Sequence, residues 1–219
     1  MKAMILAAGR GERLRPLTDT IPKPLIEVGG RRLIEHHLLK LKKSGVNDVV
    51  INVCYRADDI RAALGDGSQF GLSVTYSDET SGCLGTGGGV CHALNLLGNQ
   101  PFLLLSADIW TDYSFSSAML QDQPGCHLLL VDNPHYHLEG DYGLAEDNRL
   151  SLSGDKFTYG GIARIDPVIF QGCSTEKVVS LAPLLEDAIM QGCATGERYQ
   201  GRWFNVGTKE ELANVNEHS

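Results

Sequence analysis

Short apolar runs alternate with stretches of helical periodicity through the first half of the chain. Met4-Ile5-Leu6 is an apolar run suited to a buried strand. Between residues 32 and 43, Leu33, Ile34, His37, Leu38 and Leu41 share one helical face, and Gly45 is placed to stop the helix. Val49-Val50-Ile51-Asn52-Val53 reads as a second buried strand, Ala57 to Leu64 as a short helix, and Leu72 to Tyr76 as an alternating strand. A loop then leads to a helix expected from about Gly88 to Leu97. Pro101 to Leu105 is an apolar strand that runs out at Ser106-Ala107-Asp108. Strand–helix units of this length predict an α/β fold, a Rossmann-like three-layer α/β/α arrangement around a mostly parallel sheet.

The second half has another texture. His127 to Val131 is a strand followed by the polar stretch Asp132 to Asp141. Leu144 to Leu152 predicts a meander turning at Asp147-Asn148, and Phe157 to Ile165 a further strand. Gly160-Gly161 inside that strand marks a place where a ligand or another backbone can come close. Leu181 to Met190 is an amphipathic helix, and Thr208-Lys209-Glu210-Glu211 reads as a capping box opening the last one. Residues 1–219 are expected to form one domain, with a nucleotide-binding half over about 1–125 and an acceptor-binding half over about 126–219.

The chemistry concentrates after the first strand. Leu6-Ala7-Ala8-Gly9-Arg10-Gly11-Glu12-Arg13 is followed by Pro16-Leu17-Thr18 and Pro22-Lys23-Pro24. Gly9 and Gly11 let a backbone close tightly round phosphates, and Arg13 and Lys23 add fixed positive charge. Two common glycine motifs do not fit. A Walker loop needs Gly-Lys-Ser/Thr, whereas Gly11 precedes Glu12; a dinucleotide fingerprint needs a third glycine where the chain has Leu14. Ligands of such sheets sit beyond the carboxyl ends of strands, where both this loop and Asp108 fall. Carboxylate oxygen suits Mg²⁺, so Asp108 is the candidate metal ligand.

Charge sharpens the picture. The chain carries a net charge of −8, which argues against nonspecific nucleic-acid binding. Yet residues 1–23 hold Lys2, Arg10, Arg13, Arg15 and Lys23 against only Glu12 and Asp19. Basic charge gathered on one loop favours a small anionic ligand. No run of about 18 apolar residues predicts a membrane span, and Gly9-Arg10 interrupts the apolar start too early for a signal peptide. The six cysteines show no Cys-x-x-Cys spacing. They are expected to be reduced thiols of a cytoplasmic protein. His135-x-His137 lacks an acidic or cysteine partner at telling spacing and reads as a pair of surface loop histidines.

The Gly-rich opening with Lys23 closely resembles the signature of the sugar-1-phosphate nucleotidyltransferases. Leu84-Gly85-Thr86-Gly87-Gly88-Gly89 resembles a second element of that family, which faces the base; a flexible connection is the alternative. Further matches run along nearly the whole chain: Asp108-Ile109-Trp110-Thr111-Asp112-Tyr113, Val131-Asp132-Asn133-Pro134, Gly140-Asp141-Tyr142, Leu181-Ala182-Pro183-Leu184-Leu185 and Trp203-x-x-Val206-Gly207-Thr208. Together they resemble the N-acetylmuramate α-1-phosphate uridylyltransferases, which use UTP in bacterial cell-wall recycling.

The resemblance implies small-molecule partners, UTP and a sugar 1-phosphate, with Mg²⁺ as cofactor. It assigns Ala8, Gly9, Gly11, Glu12, Arg13, Lys23, Thr86 and Gly87 to the nucleotide. Arg13 falls to the leaving phosphates, Lys23 to the α-phosphate and Asp108 to the metal, making these three the catalytic set. Asp141, Gly161 and Asn205 fall to the acceptor, and Asn205 also to the metal. There the chain departs from the family, which places a second metal-binding aspartate just before Val-Gly-Thr. The loop from Asp78 to Leu84 carries an apparent extra residue, which leaves base contacts by Glu79 and Thr80 open. Two other readings stay open: the same transfer to another sugar 1-phosphate or a phosphocholine-type acceptor, and a catalytically weak nucleotide-sugar-binding protein.

Overall fold

The computed structural model describes residues 1–79, 82–173 and 177–218, so the expectation for Thr80 lies outside the described residues. Strand β1 (Ala3–Leu6) leads through the Gly-rich loop to α1 (Leu17–Thr20). A small hairpin, β2 (Glu27–Val28) and β3 (Arg31–Arg32), precedes α2 (Leu33–Lys43). Then come β4 (Asp48–Val53), α3 (Ala57–Leu64), β5 (Ser73–Asp78), α4 (Gly85–Leu97), β6 (Phe102–Ser106) and β7 (Ile109–Thr111). The second half holds α5 (Ser117–Leu120), β8 (Cys126–Val131), β9 (Tyr142–Leu144), β10 (Leu150–Ser151) and β11 (Lys156–Ile165). It closes with α6 (Leu181–Met190), β12 (Ala194–Tyr199), β13 (Trp203–Asn205) and α7 (Lys209–His218).

β1 is the central strand, parallel to β4 on one side and β6 on the other, with β5 parallel beyond β4. Its side chains alternate between two cores, as a strand covered on both faces must. Ala3 and Ile5 pack with Leu38, Leu41, Ile60 and Leu64, which α2 and α3 supply. Met4 packs on the opposite face with Val90, Ala93, Leu185 and Ala188 from α4 and α6. This is the expected three-layer sandwich. Past β6 the sheet becomes mixed: β11 runs antiparallel to both β6 and β8, β12 runs parallel to β8, and β9 and β10 extend the far end of β11. A separate two-stranded ribbon, β7 with β13, stands beside the sheet.

The α2 face is buried at all five positions that periodicity picked out. α4, however, begins at Gly85 rather than Gly88, so its glycines belong to the helix itself. They allow close packing. A Cβ on Gly87 would stand 2.7 Å from the Ser180 carbonyl oxygen, and one on Gly88 2.8 Å from that of Lys177.

The cysteines depart from expectation. Cys54 is bonded to Cys83 and Cys91 to Cys173, while Cys126 and Cys193 are free. The partners lie 29 and 82 residues apart in sequence, so a search for local spacing could not pair them.

His37 is fully buried behind the β7 ribbon, and neither ring nitrogen has a hydrogen-bond partner among the described residues. Burial, aided by the charge of Lys40, lowers its pKa to about 4. The unfolded chain therefore binds one more proton at this site than the folded protein between about pH 6.5 and 4. Stability should fall as pH drops through that window, by up to about 1.4 kcal/mol per pH unit. Urea unfolding of wild type and His37→Leu checks this: the wild type should lose ground to the variant below pH 6.5, and parallel pH curves would refute it.

Candidate active site

The carboxyl ends of β1, β4 and β6 open onto one cavity of about 210 Å³. Ala8, Gly9, Lys23, Thr86 and Asp108 line it, joined by Asn52, Cys83, Gly85 and Ser106. Of the residues expected at the nucleotide, Gly11, Glu12, Arg13 and Gly87 are not in this wall. Gly11 sits beneath it at φ +64°, backed by Thr18 and the Lys23 stem, and its carbonyl accepts from Thr18 Oγ1 at 2.9 Å. That positive φ and the lack of room both call for glycine. Gly9, by contrast, has open space where a side chain would stand. Arg13 is exposed on the short turn Glu12–Leu14, with its guanidinium beside Gly207 and Glu211. Gly87 is buried against Ser180, and the Thr86 hydroxyl accepts from the Leu181 N–H at 2.9 Å, at the start of α6.

Buried hydrogen bonds shape the cavity floor. Asn52 accepts from the Ala7 N–H at 2.8 Å and donates to Glu79 Oε1 at 2.6 Å. The other Glu79 oxygen accepts from the Leu84 N–H at 2.7 Å. Glu79 is thus a buried strut between β4 and the start of α4. Such a network rigidifies when every member is paired.

A second cavity of about 470 Å³ adjoins the first and shares Leu6, Thr86, Ser106 and Asp108 with it. Asp141, Gly161 and Asn205 all line it. Gly161 lies where the β11–β8 register shifts, at φ +72°, and a Cβ there would meet Ile109 at 2.9 Å. Asp141 is fixed by the Tyr159 N–H at 2.7 Å and by His137 Nε2 at 3.0 Å. His137, expected to be an ordinary surface histidine, therefore lines this cavity. Burial pushes the phenols of Tyr142 and Tyr159 well above their ordinary range, so both remain neutral donors.

Asp108 stands in the wall common to both cavities. Lys23 Nζ donates to its Oδ2 at 2.6 Å, and the Val206 N–H donates to its backbone carbonyl at 2.8 Å. Through the ribbon, Asn205 pairs with Ile109, the residue after Asp108. The side-chain oxygen of Asn205 is buried and has no hydrogen-bond partner among the described residues. Among the described residues no three His, Cys, Asp or Glu side chains cluster as a metal site. The α7 cap completes the region: Thr208 Oγ1 accepts from the Glu211 N–H, and the Glu211 carboxylate accepts from the Gly207 N–H at 2.7 Å.

Comparison with known proteins shows the family. The family model described as nucleotidyl transferase matches residues 2–156. The chain belongs to the nucleotidyl transferase family. It is 44% identical to the N-acetylmuramate alpha-1-phosphate uridylyltransferase of Neisseria meningitidis serogroup B, over 95% of this chain and 94% of the relative. The same-named protein of Caulobacter vibrioides is 34% identical over 94% of this chain and 91% of its own. A mannose-1-phosphate guanyltransferase of Aspergillus fumigatus is 45% identical over 97% of this chain but only 62% of its own length. In fold, the chain matches a crystal structure of a candidate glucose-1-phosphate thymidylyltransferase of Bacillus anthracis in complex with sucrose. The TM-score is 0.87 at 22% identity, covering 100% of this chain and 94% of that one.

For a nucleotidyl transferase, sequence reasoning left out Asn52, Ser106 and His137. Asn52 and Ser106 had a legible signal: each is a polar residue at or near the carboxyl end of an apolar strand, as Asp108 is. Nothing in the sequence tied His137 to Asp141 beyond a four-residue spacing in a stretch with no helical periodicity.

Proposed function

We propose that the chain transfers a uridylyl group from UTP to N-acetylmuramate α-1-phosphate, releasing pyrophosphate and forming UDP-N-acetylmuramate in the cytoplasm. The observation that carries this reading is Asp108 in the wall between two adjoining cavities, one under the Gly-rich loop and one holding Asp141. That arrangement suits a donor and an acceptor meeting across a single carboxylate. The acceptor is taken from the two relatives that align over nearly the whole chain.

The reaction is a displacement at the α-phosphorus. An oxygen of the acceptor phosphate forms the new P–O bond as the bond to the β-phosphate breaks. Positioning and charge neutralisation account for the rate, with no covalent intermediate required. Ala8, Gly9 and Gly11 cradle the phosphates, and Lys23 holds positive charge where the α-phosphate comes to lie. Arg13 and the exposed Glu12 stand at the outer side of the loop, where Arg13 faces the leaving phosphates. Thr86, with Gly87 behind it, borders the base. Asp141 holds the acceptor sugar, its carboxylate kept in place by His137 and the Tyr159 backbone, and Gly161 leaves room beside it.

The residues present fit a hard divalent cation, which we take to be Mg²⁺. Asp108 offers a carboxylate, and the buried Asn205 oxygen lacks a hydrogen-bond partner among the described residues. Oxygen donors of this kind suit Mg²⁺. When bound, the cation neutralises charge on the phosphates. Asn205 contributes a neutral oxygen only, so the substrate phosphates must complete the ligand set.

Pyrophosphate release across a panel of UTP, CTP, GTP and dTTP with several sugar 1-phosphates and phosphocholine tests the assignment. UTP with N-acetylmuramate α-1-phosphate should exceed every other pair by at least about tenfold in kcat/KM. Faster turnover of a hexose 1-phosphate would replace the acceptor. UTP binding without turnover would make the chain a nucleotide-sugar-binding protein.

Asn205→Asp adds one negative charge at the proposed cation site. Half-maximal rate should then need less Mg²⁺, and kcat should rise about tenfold if the charge is worth ~1.4 kcal/mol in the transition state. Superimposable Mg²⁺ titrations for the two forms would remove Asn205 from the metal.

A further inference from the structure

The wall of the nucleotide cavity holds a sulfur–sulfur bond that the displacement does not use. Cys54 directly follows β4 and lies two residues after Asn52, a cavity residue. Cys83 lines the cavity itself and leads through Leu84 into α4. Its sulfur lies 3.7 Å from the carbonyl oxygen of Ala8 in the Gly-rich loop. Both cysteines are half-buried, and the cavity that Cys83 lines gives a small thiol a route to that end of the bridge. One bond thus ties the end of β4 to the entry of α4, against the phosphate loop. The other bridge differs in place: Cys91 is buried inside α4, and neither it nor Cys173 lines the nucleotide cavity.

In the cytoplasm proposed above thiols are kept reduced, and disulfides found there are usually transient or redox-sensing. We propose that Cys54 and Cys83 form a thiol–disulfide site through which small-molecule monothiols lower the affinity for nucleotide. The inference rests on the nucleotide cavity of the proposed function and is independent of its acceptor.

In the first step a monothiolate attacks Sγ of Cys83. The Cys54–Cys83 bond breaks, a mixed disulfide forms on Cys83, and Cys54 departs as a thiolate that takes up a proton. A second monothiolate attacks the mixed disulfide at the small molecule's sulfur. The small-molecule disulfide leaves, and Cys83 becomes a thiolate that is protonated in turn. Two thiols are oxidised, and the protein bridge accepts their two electrons. The mixed disulfide places extra bulk in a cavity of only about 210 Å³. The fully reduced form holds the Cys83 segment through weaker contacts such as Leu84 N–H to Glu79, 2.7 Å. Both states bind nucleotide less well than the bridged one.

The test uses full-length protein, air-oxidised or treated with 2-mercaptoethanol and then desalted anaerobically. Alkylation with peptide mass spectrometry reads the sulfur state, and calorimetry reads UTP binding without acceptor. The oxidised protein should yield a linked Cys54–Cys83 peptide, and reduction should make both residues alkylatable. The Kd for UTP should rise at least about threefold on reduction, a change of roughly 0.6 kcal/mol. Cys54→Ala should bind like the reduced form in either condition, because its remaining bridge lies away from the cavity.

A missing Cys54–Cys83 peptide, or a Kd equal within about twofold in the two states, overturns the proposal. So does a Cys54→Ala variant that still responds to thiol, since the Cys91–Cys173 bridge would then be responsible. A bridge that opens and closes while UTP binds in neither state overturns the nucleotide reading itself, and this inference with it.

Discussion

An ion pair between residues 85 positions apart ties the segment after the Gly-rich loop to the end of β6. Lys23 leaves the segment after the Gly-rich loop and Asp108 leaves the end of β6, and their charged atoms meet at 2.6 Å. The Lys23 side chain is 11% exposed and that of Asp108 35%, so the pair sits at the junction of protein and cavity rather than deep in the core. In that position it holds a fixed positive and a fixed negative charge side by side, Lys23 lining the first cavity and Asp108 both. On the proposed reading, charge held in place in this way needs little rearrangement when the reaction begins.

Everything around the pair keeps it in place. β1 and β6 are parallel neighbours, so the Gly-rich loop and Asp108 emerge from the same edge of the sheet. Beyond Asp108, the β7–β13 ribbon brings Asn205 alongside through backbone hydrogen bonds. A small apolar cluster of Leu14, Ile26, Leu33, Trp110, Val206 and Val215 supports that ribbon from below. Burying side chains of this size is worth about 1.5–3 kcal/mol each. Packing thus fixes the position of charges that would otherwise swing in solvent.

The legible parts of the sequence were those in which burial leaves a periodic trace. α2 announced its face because each turn buries one or two residues of an otherwise polar segment. β1, β4 and β6 did so because strands covered on both faces must be apolar throughout, and their carboxyl ends then pointed to the cavity and to Asp108. Periodicity reports that a segment is buried, not what lies beside it. It therefore gave no sign that β12 would run parallel to β8, or that β13 would leave the sheet to pair with β7. The bridges from Cys54 to Cys83 and from Cys91 to Cys173 were invisible for the same reason. The glycines of α4 misled because close helix packing and a flexible loop draw on the same residue.

The central claim is that donor and acceptor react directly across Asp108, with no covalent stop on the protein. UTP bearing one sulfur at the α-phosphorus, in a single known configuration, tests that claim most directly. One in-line displacement must invert the configuration at that phosphorus in the nucleotide-sugar product. The account predicts inversion. Retention would mean two successive displacements through a protein nucleophile and would contradict it.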